Sequence, residues 1–252
     1  MKFTVFNATC DVISWDGCNE WHLVIAWAVI LLGQEMMTLV IDGIIGKLAT
    51  RTIPAGGKYL ETFGFVDWMF VYINRFSVPI MMSHMYYVMH GANEGHVEWD
   101  MDKMTVFNTL GSIAFFFIVY DMVYSLFHRF LHIRGIYRFI HKHHHRQMVP
   151  TRGNLDASNT HPIEFIVGEY LHLLSIYLIP HHFVAVIAFM IIGGILASLN
   201  HTRYDISIPH FYDVKAHDTH HRFSNTNYGQ YIMMWDKVMG THREYDDKKF
   251  KI

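Results

Sequence analysis

The chain alternates long apolar runs with short polar segments, and the lengths of these runs predict where its helices lie. Three runs, at residues 23–47, 65–89 and 104–127, have the length of about 20 residues that a helix needs to cross a bilayer. Two shorter runs, 163–179 and 183–199, are joined by a Pro-His-His turn and predict a helical hairpin. The pattern therefore predicts an all-α integral membrane helical bundle of three long spans and a hairpin.

Each long run also contains polar or charged residues, namely Gln34, Glu35, Asp67, Asn74, Arg75 and Asp121. A large soluble helical bundle would contain such residues too, and it is the alternative fold. Ionisable residues within membrane helices are expensive, yet they are usual at functional sites that face the bundle interior. We therefore favour the membrane protein over the soluble bundle.

Charges in the short loops predict the orientation of the spans. The segment 47–58 carries three basic and no acidic residues, whereas the segment 94–102 carries four acidic and no basic residues. The positive-inside rule then places the first loop in the cytosol, the N-terminus in the lumen and the C-terminus in the cytosol. On this topology the polar regions 129–162 and 200–252 form a cytosolic, histidine-rich cap.

The N-terminal segment has features that fit a lumenal location. Asn7 begins an Asn-Ala-Thr glycosylation sequon, and Cys10 and Cys18, the two cysteines of the chain, lie in the same segment. An oxidising compartment would allow these cysteines to pair, although the sequence leaves their pairing open.

Composition narrows the chemistry. Hydrophobic residues make up 52% of the chain and charged residues 17%, and the net charge of -2 offers no basic excess for nucleic acid. The chain has 20 histidines, as many as lysine and arginine together. Histidine in such excess calls for a chemical reason, such as metal binding or proton transfer. With both cysteines ahead of the first run, metal binding would depend on histidine.

The histidines cluster at helical spacing in three places. The sequence HRFLH puts His128 and His132 four residues apart, on one face of a helix. HKHHH and HDTHH each contain the pattern H-x-x-H-H, which predicts three imidazoles on one helical turn. Neutral imidazole suits iron, zinc, copper and nickel, and three such ligands can hold one ion or bridge toward a second. The last two clusters comprise His141, His144, His145, His217, His220 and His221.

In this order around a hydrophobic hairpin, the three clusters resemble the histidine boxes of the fatty acid hydroxylase/sterol desaturase superfamily, whose members are membrane-bound non-haem di-iron enzymes. Three further motifs are similar: HPIE at 161–164, NHTRYDISIP at 200–209 and NYGQYIMMWDKVMGT at 227–241. The resemblance covers roughly 104–245. We therefore expect an N-terminal lumenal segment with two membrane helices at 1–103 and a catalytic domain at 104–252.

The resemblance implies which residues bind metal. Two iron ions would be held by the eight box histidines and by His201 of the NHTRYD motif. Some members supply another histidine four residues further on, where this chain has Asp205, so the tenth ligand is Asp205, water or absent. His143 is extra to the box pattern, and we expect it to lie outside the ligand set.

Metal-bound imidazoles usually donate their second N–H to an acceptor, which predicts orienting groups around the ligands. The carboxylates that we expect in this role are Asp121, Asp156, Glu164, Asp205, Asp218 and Asp236. His161, which precedes a proline, is expected to cap the next helix or to orient a ligand. Glu169 and His172 form one Glu-x-x-His unit, but ferritin-like di-iron bundles need two, so that fold is excluded.

The resemblance also implies O2-dependent oxidation of an unactivated C–H bond in a membrane lipid of sterol or fatty-acyl type, by hydroxylation or stepwise oxidation. Desaturation is the alternative outcome, and a histidine-rich metal transporter is the competing class. The chain has no dinucleotide or haem motif, so electrons would come from a partner such as cytochrome b5 with its NAD(P)H-dependent reductase. We expect the endoplasmic reticulum as location, and zinc in place of iron in some purified preparations.

Overall fold

The computed structural model describes residues 2–5, 8–11, 17–58, 60–91 and 95–246, and these residues are mainly helical. A short antiparallel hairpin comes first, formed by β1 (Lys2–Val5) and β2 (Ala8–Asp11). Asn7 and the side chain of Cys10 lie outside the described residues.

The first long helix, α1, spans Glu20–Leu48 and includes a π-helical turn at Ile41–Ile45. Asn19 begins it because its side chain accepts hydrogen bonds from the backbone N–H groups of Trp21 and His22. In the most apolar stretch of 18 residues of this helix, only 6% of the residues are buried within the protein. The helix therefore presents apolar side chains outward along nearly its whole length.

The second long helix, α2, spans Phe65–His90. Its polar residues face the protein: the Asn74 side chain donates to the backbone oxygens of Ser158 and Thr160 at 2.8 and 2.9 Å, and Arg75 pairs with Glu35 of α1. These contacts explain why polar residues interrupt the first two apolar runs. They join α1 and α2 to each other and to the segment that follows the second histidine box.

The third long helix, α3, spans Phe107–Leu131 and ends in the first histidine box. Among the described residues, α1 and α3 are the two helices long and apolar enough to cross a membrane. The second predicted span forms a single helix, α2, but α2 is not one of the two helices that are long and apolar enough to cross a membrane. The structure thus supports two of the three predicted long spans by length and composition.

The remaining elements are shorter. They are β3 (Val97–Glu98), α4 (Arg134–Tyr137), a 3-10 helix (His141–Arg146), α5 (Asn154–Ser158), α6 (Pro162–Tyr177), β4 (His181–His182), α7 (Phe183–Leu199), β5 (Ser207–Ile208), β6 (Tyr212–Asp213), α8 (Val214–Arg222) and α9 (Met234–Met239). β3 and β4 pair in parallel, and β5 and β6 pair antiparallel. The helices α6 and α7 correspond to the predicted hairpin.

An aromatic core joins α3 to α7 and to the segment before α9. Phe117 packs edge-on against Phe189 with ring centroids 4.8 Å apart, and Tyr120 lies 5.3 Å from Tyr231. All four side chains are buried. This core packs the middle of α3 against the first half of α7, and the histidines lie further on, at the end of α3 and just after α7.

Candidate metal centre

Four elements deliver the nine histidines that the sequence singles out as ligands. They come from the last turn of α3 and the residue after it, the 3-10 helix, the turn after α7, and α8. Eight of the nine are buried, and His132 is half-buried. The structure gathers them into two adjacent groups, and the ligand-capable atoms of each group lie within 4.8 Å of one another.

The first group contains five histidines from three separate parts of the chain: His128, His132, His141, His145 and His220. Their Nε2 atoms converge. The distances are 3.0 Å between His128 and His141, 2.9 Å between His141 and His145, and 3.1 Å between His145 and His220. His132 completes the group, with its Nε2 atom 3.3 Å from that of His220.

The second group contains His144, His201, His217 and His221, all of them buried. Here the Nε2 atom of His201 lies 3.3 Å from that of His144 and 3.2 Å from that of His217. The Nε2 atoms of His217 and His221 are 3.0 Å apart. The ring centroids of His145, in the first group, and His221, in the second, are 4.9 Å apart, so the two groups lie side by side.

The two H-x-x-H-H boxes divide between the groups in a reciprocal way. The second box gives its i, i+4 pair, His141 and His145, to the first group and the intervening His144 to the second. The third box gives His217 and His221 to the second group and His220 to the first. The expectation of one shared helical face is corrected here, because the second box forms a 3-10 helix and its histidines serve two groups.

The nitrogen spacing suits metal ions. Two imidazole nitrogens bound to one ion at about 2.0–2.1 Å, with angles near ~90–110° at the metal, lie about 2.8–3.4 Å apart. The closest Nε2 pairs in the two groups, at 2.9 to 3.3 Å, fall within that range. The residues present therefore fit a pair of ions held by imidazole alone.

Burial also keeps these imidazoles neutral, as metal ligation requires. Burial, with a smaller contribution from neighbouring His128, lowers the pKa of His132 to about 3. Burial likewise holds the pKa values of His144 and His220 well below the usual range, and His201 beside His144 acts in the same direction. Protonating several of these rings together would place like charges in contact.

Backbone carbonyl oxygens orient three of these histidines through Nδ1. Tyr228 O lies 2.9 Å from His128, Thr226 O lies 2.6 Å from His220, and Ala197 O lies 2.8 Å from His201. A carboxylate orients another: Oε1 of Glu164, at the start of α6, lies 2.8 Å from Nδ1 of His141. These contacts set the direction in which Nε2 points.

The structure corrects the expected role of the other carboxylates. Asp121 accepts hydrogen bonds from the backbone N–H groups of Gln230, Tyr231 and Ile232, and Asp236 accepts from those of Tyr228 and Gly229. They therefore hold the segment 226–232, whose backbone oxygens orient His128 and His220. Sequence reasoning missed this indirect route because any residue type supplies a backbone oxygen.

Three other predicted carboxylates have partners other than histidine among the described residues. Asp218 pairs with Arg203 at 2.5 Å and Arg222 at 2.8 Å, and Asp156 accepts from the backbone of Thr151 and Arg152. Asp205 lies outside both histidine groups and pairs with Lys215 at 3.0 Å, so the structure gives no support to a ligand at that position.

Two further histidines lie beside the centre but outside the two groups. Nε2 of His143 lies 2.9 Å from the Asn159 side-chain oxygen and 3.1 Å from Asp67. His161 caps α6, because its Nδ1 accepts from the backbone N–H of Ile163 at 3.3 Å. These contacts anchor the box segment and the following helix.

A cavity of about 550 Å³ extends from the second group between the helices. His144, His201 and His217 line it, whereas the five histidines of the first group do not. Most of its remaining wall is apolar and comes from α1, α2, α6 and α7. A long apolar ligand in this space would approach the second histidine group.

Comparisons with known proteins agree with the arrangement of the boxes. The family described as Fatty acid hydroxylase matches residues 113–241, just over half of the chain. No solved structure matches.

Three of the relatives have names that refer to sterol-modifying enzymes. The chain is 32% identical over 140 residues to "Delta(7)-sterol 5(6)-desaturase" of Leptosphaeria maculans, covering 55% of this chain and 39% of that protein. It is 28% identical over 134 residues to "Methylsterol monooxygenase 1" of Rattus norvegicus (51% and 45%). It is 31% identical over 153 residues to "Cholesterol 25-hydroxylase-like protein" of Caenorhabditis elegans (58% and 50%).

The chain thus spans half or less of the length of these relatives. The family match includes all three boxes and the whole of the NHTRYD and NYG…WD…GT motifs, which confirms the resemblance found in the sequence. The chain belongs to the fatty acid hydroxylase family.

Proposed function

We propose that this chain is a membrane oxidoreductase that oxidises an unactivated C–H bond of a membrane lipid with O2, by hydroxylation or stepwise oxidation. The observation that carries the proposal is the position of the second histidine group in the wall of an otherwise mainly apolar cavity. That arrangement would bring an apolar chain or ring beside a redox metal. The family match and the sterol-oxidising relatives support a lipid substrate.

Two iron ions are the proposed cofactors. His128, His132, His141, His145 and His220 would hold one, and His144, His201, His217 and His221 the other. When bound, the ions would supply the redox chemistry that activates O2 toward a C–H bond. The protein would contribute rigid ligands, oriented by Glu164 and by the backbone of 226–228, and a cavity that excludes water from the reacting carbon.

Electrons are proposed to come from a separate protein of the cytochrome b5 type with its NAD(P)H-dependent reductase. The family resemblance is the basis for that partner. The proposed location is the endoplasmic reticulum, with the N-terminus lumenal, the C-terminus and the histidine centre cytosolic, and the loop charges as the basis for the topology.

Desaturation is the second candidate outcome. It is favoured by the match to a sterol desaturase, and the two reactions begin with the same removal of hydrogen from carbon.

A metal transporter fits less well, because the mid-helix polar residues that would line its path already have partners within the protein. Arg75 pairs with Glu35, and Asn74 donates to the backbone of Ser158 and Thr160.

Lipid analysis of cells tests the proposal. Cells that express the wild type are expected to contain an oxidised lipid that cells expressing His144→Ala lack. The matched control is His96→Ala, which removes an exposed imidazole outside both groups and should retain the product. Equal product from wild type and His144→Ala would contradict the proposed site.

A further inference from the structure

Among the polar side chains that line the cavity besides the histidines of the second group, four come from α3, α6 and the segment before α9: Tyr120, Glu169, His172 and Tyr231. Tyr120, His172 and Tyr231 have exposed fractions of 3%, 5% and 2%. Burying a hydroxyl or an imidazole without a hydrogen-bond partner is unfavourable. Polar atoms placed in an apolar cavity therefore call for an explanation.

These side chains form one compact cluster. The His172 ring stacks on Tyr120 with centroids 4.0 Å apart, and the Tyr120 ring lies 5.3 Å from that of Tyr231. A Cβ atom on Gly193 would lie 2.9 Å from Tyr231 Oη and 3.8 Å from His172 Nε2. The Tyr231 hydroxyl and His172 Nε2 thus both lie beside the small residue Gly193.

The hydrogen bonds of His172 leave one nitrogen for a ligand. Its Nδ1 atom lies 3.1 Å from the backbone oxygen of Glu169. In the part of the chain that the structure describes, no residue makes a hydrogen bond with His172 Nε2 or with the hydroxyls of Tyr120 and Tyr231. All three groups line the cavity, where a bound molecule would meet them.

The cluster lies away from the histidine groups along the helices. Tyr120 precedes His128 by eight residues on α3, and His172 follows Glu164, the partner of His141, by eight residues on α6. At a rise of ~1.5 Å per residue, each interval is about 12 Å. A molecule that fills the cavity would have one end at the cluster and the other beside His144 and His201.

We propose that Tyr120, His172 and Tyr231 form a polar subsite that binds the hydroxyl group of the lipid substrate, with the reacting carbon at the histidine end. A hydroxyl donates and accepts at once, which suits two tyrosine hydroxyls and an imidazole nitrogen. No lysine or arginine is among the described residues that line the cavity, so a fatty-acid carboxylate would be buried there without a basic partner. This inference rests on the proposed function for the identity of the reaction and deepens it by naming the substrate class, a hydroxylated lipid.

Competition binding tests the subsite without turnover. Purified protein in detergent is loaded with tritiated cholesterol, which is then displaced by unlabelled cholesterol or by cholest-5-ene, the same molecule without the hydroxyl. Two neutral hydrogen bonds predict that wild type prefers cholesterol about tenfold. His172→Phe keeps the aromatic stack on Tyr120 but removes the nitrogen, and should bring that ratio close to one while leaving cholest-5-ene binding unchanged.

Two companion variants keep the test decisive. Tyr231→Phe removes only a hydroxyl and should lower the ratio even if His172→Phe fails to fold. Tyr177→Phe is the control, because it removes an exposed hydroxyl at the end of α6, the helix of His172, outside the cavity lining. This variant should leave the ratio unchanged. A wild-type ratio of one, failure of both sterols to displace the label, or an unchanged ratio in Tyr231→Phe would overturn the subsite. Because binding needs no oxidation, loss of selectivity and absence of a lipid product are separate results.

Discussion

Nδ1 of His141 lies 2.8 Å from Oε1 of Glu164, which makes Glu164 the carboxylate that orients a histidine within the two groups described. Both side chains are buried, and the contact ties the second histidine box to the start of α6. The contact holds the ring so that Nε2 faces the other histidines of its group.

Replacing Glu164 with Gln should weaken metal binding at the first group by about 10–100-fold, because a side-chain amide replaces the carboxyl group that orients the His141 ring. Titration of metal-free protein with Zn²⁺ in a competing chelator measures this change. Asp205→Asn is the control, since Asp205 pairs with Lys215 outside both groups, and it should bind zinc like wild type. Equal zinc affinity in Glu164→Gln and wild type would show that the contact does not support the metal centre.

The unequal sizes of the two groups predict unequal sensitivity to loss of one ligand. His221→Ala leaves three imidazoles in the second group, whereas His132→Ala leaves four in the first. At a concentration of competing chelator that leaves wild type with about two zinc ions, we expect His132→Ala, with four imidazoles in its group, to keep both and His221→Ala, with three, to keep about one. Elemental analysis after gel filtration gives the count. Loss of both ions from either variant would indicate a single shared site.

Asp236 should stabilise the segment that orients His128 and His220. Its carboxylate accepts from the backbone of Tyr228 and Gly229 and from the Thr241 hydroxyl, at 2.7 to 2.8 Å. Asp236→Asn turns one acceptor into a donor and should cost about 2 kcal/mol, a fall of about 4–8 °C in the thermal unfolding midpoint. The exposed Glu244→Gln is the matched control. An Asp236→Asn midpoint equal to that of wild type would remove Asp236 from this role.

The topology makes a separate prediction. The basic loop at 47–58 and the acidic segment at 94–102 place the two chain ends on opposite sides of the membrane. In sealed microsomes, an N-terminal tag should be protected from protease and a C-terminal tag digested. Digestion of both tags, or protection of both, would mean that one predicted span does not cross.

The sequence predicted the elements better than it predicted their partners. The spacing of His128 and His132 placed them on one helix face, and both do join the first group. The same reasoning did not predict that His144 and His145, adjacent in the chain, serve different groups. Spacing defines neighbours within one helix, whereas the group a ring joins depends on how the 3-10 helix packs against α8.

The orienting contacts were hardest to predict for a related reason. Backbone oxygens of Ala197, Thr226 and Tyr228 accept from ligand histidines, and a backbone oxygen carries no signature of residue type. One available signal was the residue type of Asn227, because asparagine tolerates the left-handed backbone conformation better than most residues, and Asn227 adopts it with a φ of 51°. That turn presents the oxygens on either side of Asn227 to the two rings.

The most direct test of the central claim combines a metal count with the oxygen requirement of the reaction. Metal-free protein is reloaded anaerobically with Fe(II), given a reductant and a sterol-containing lipid extract, and divided between O2 and argon. A parallel sample is loaded with Zn²⁺, which imidazole sites bind more tightly than Fe(II) but which has no redox chemistry. We predict about two irons per chain and an oxidised lipid in the iron sample under O2 alone. Product under argon, or activity that follows the zinc content, would contradict the account.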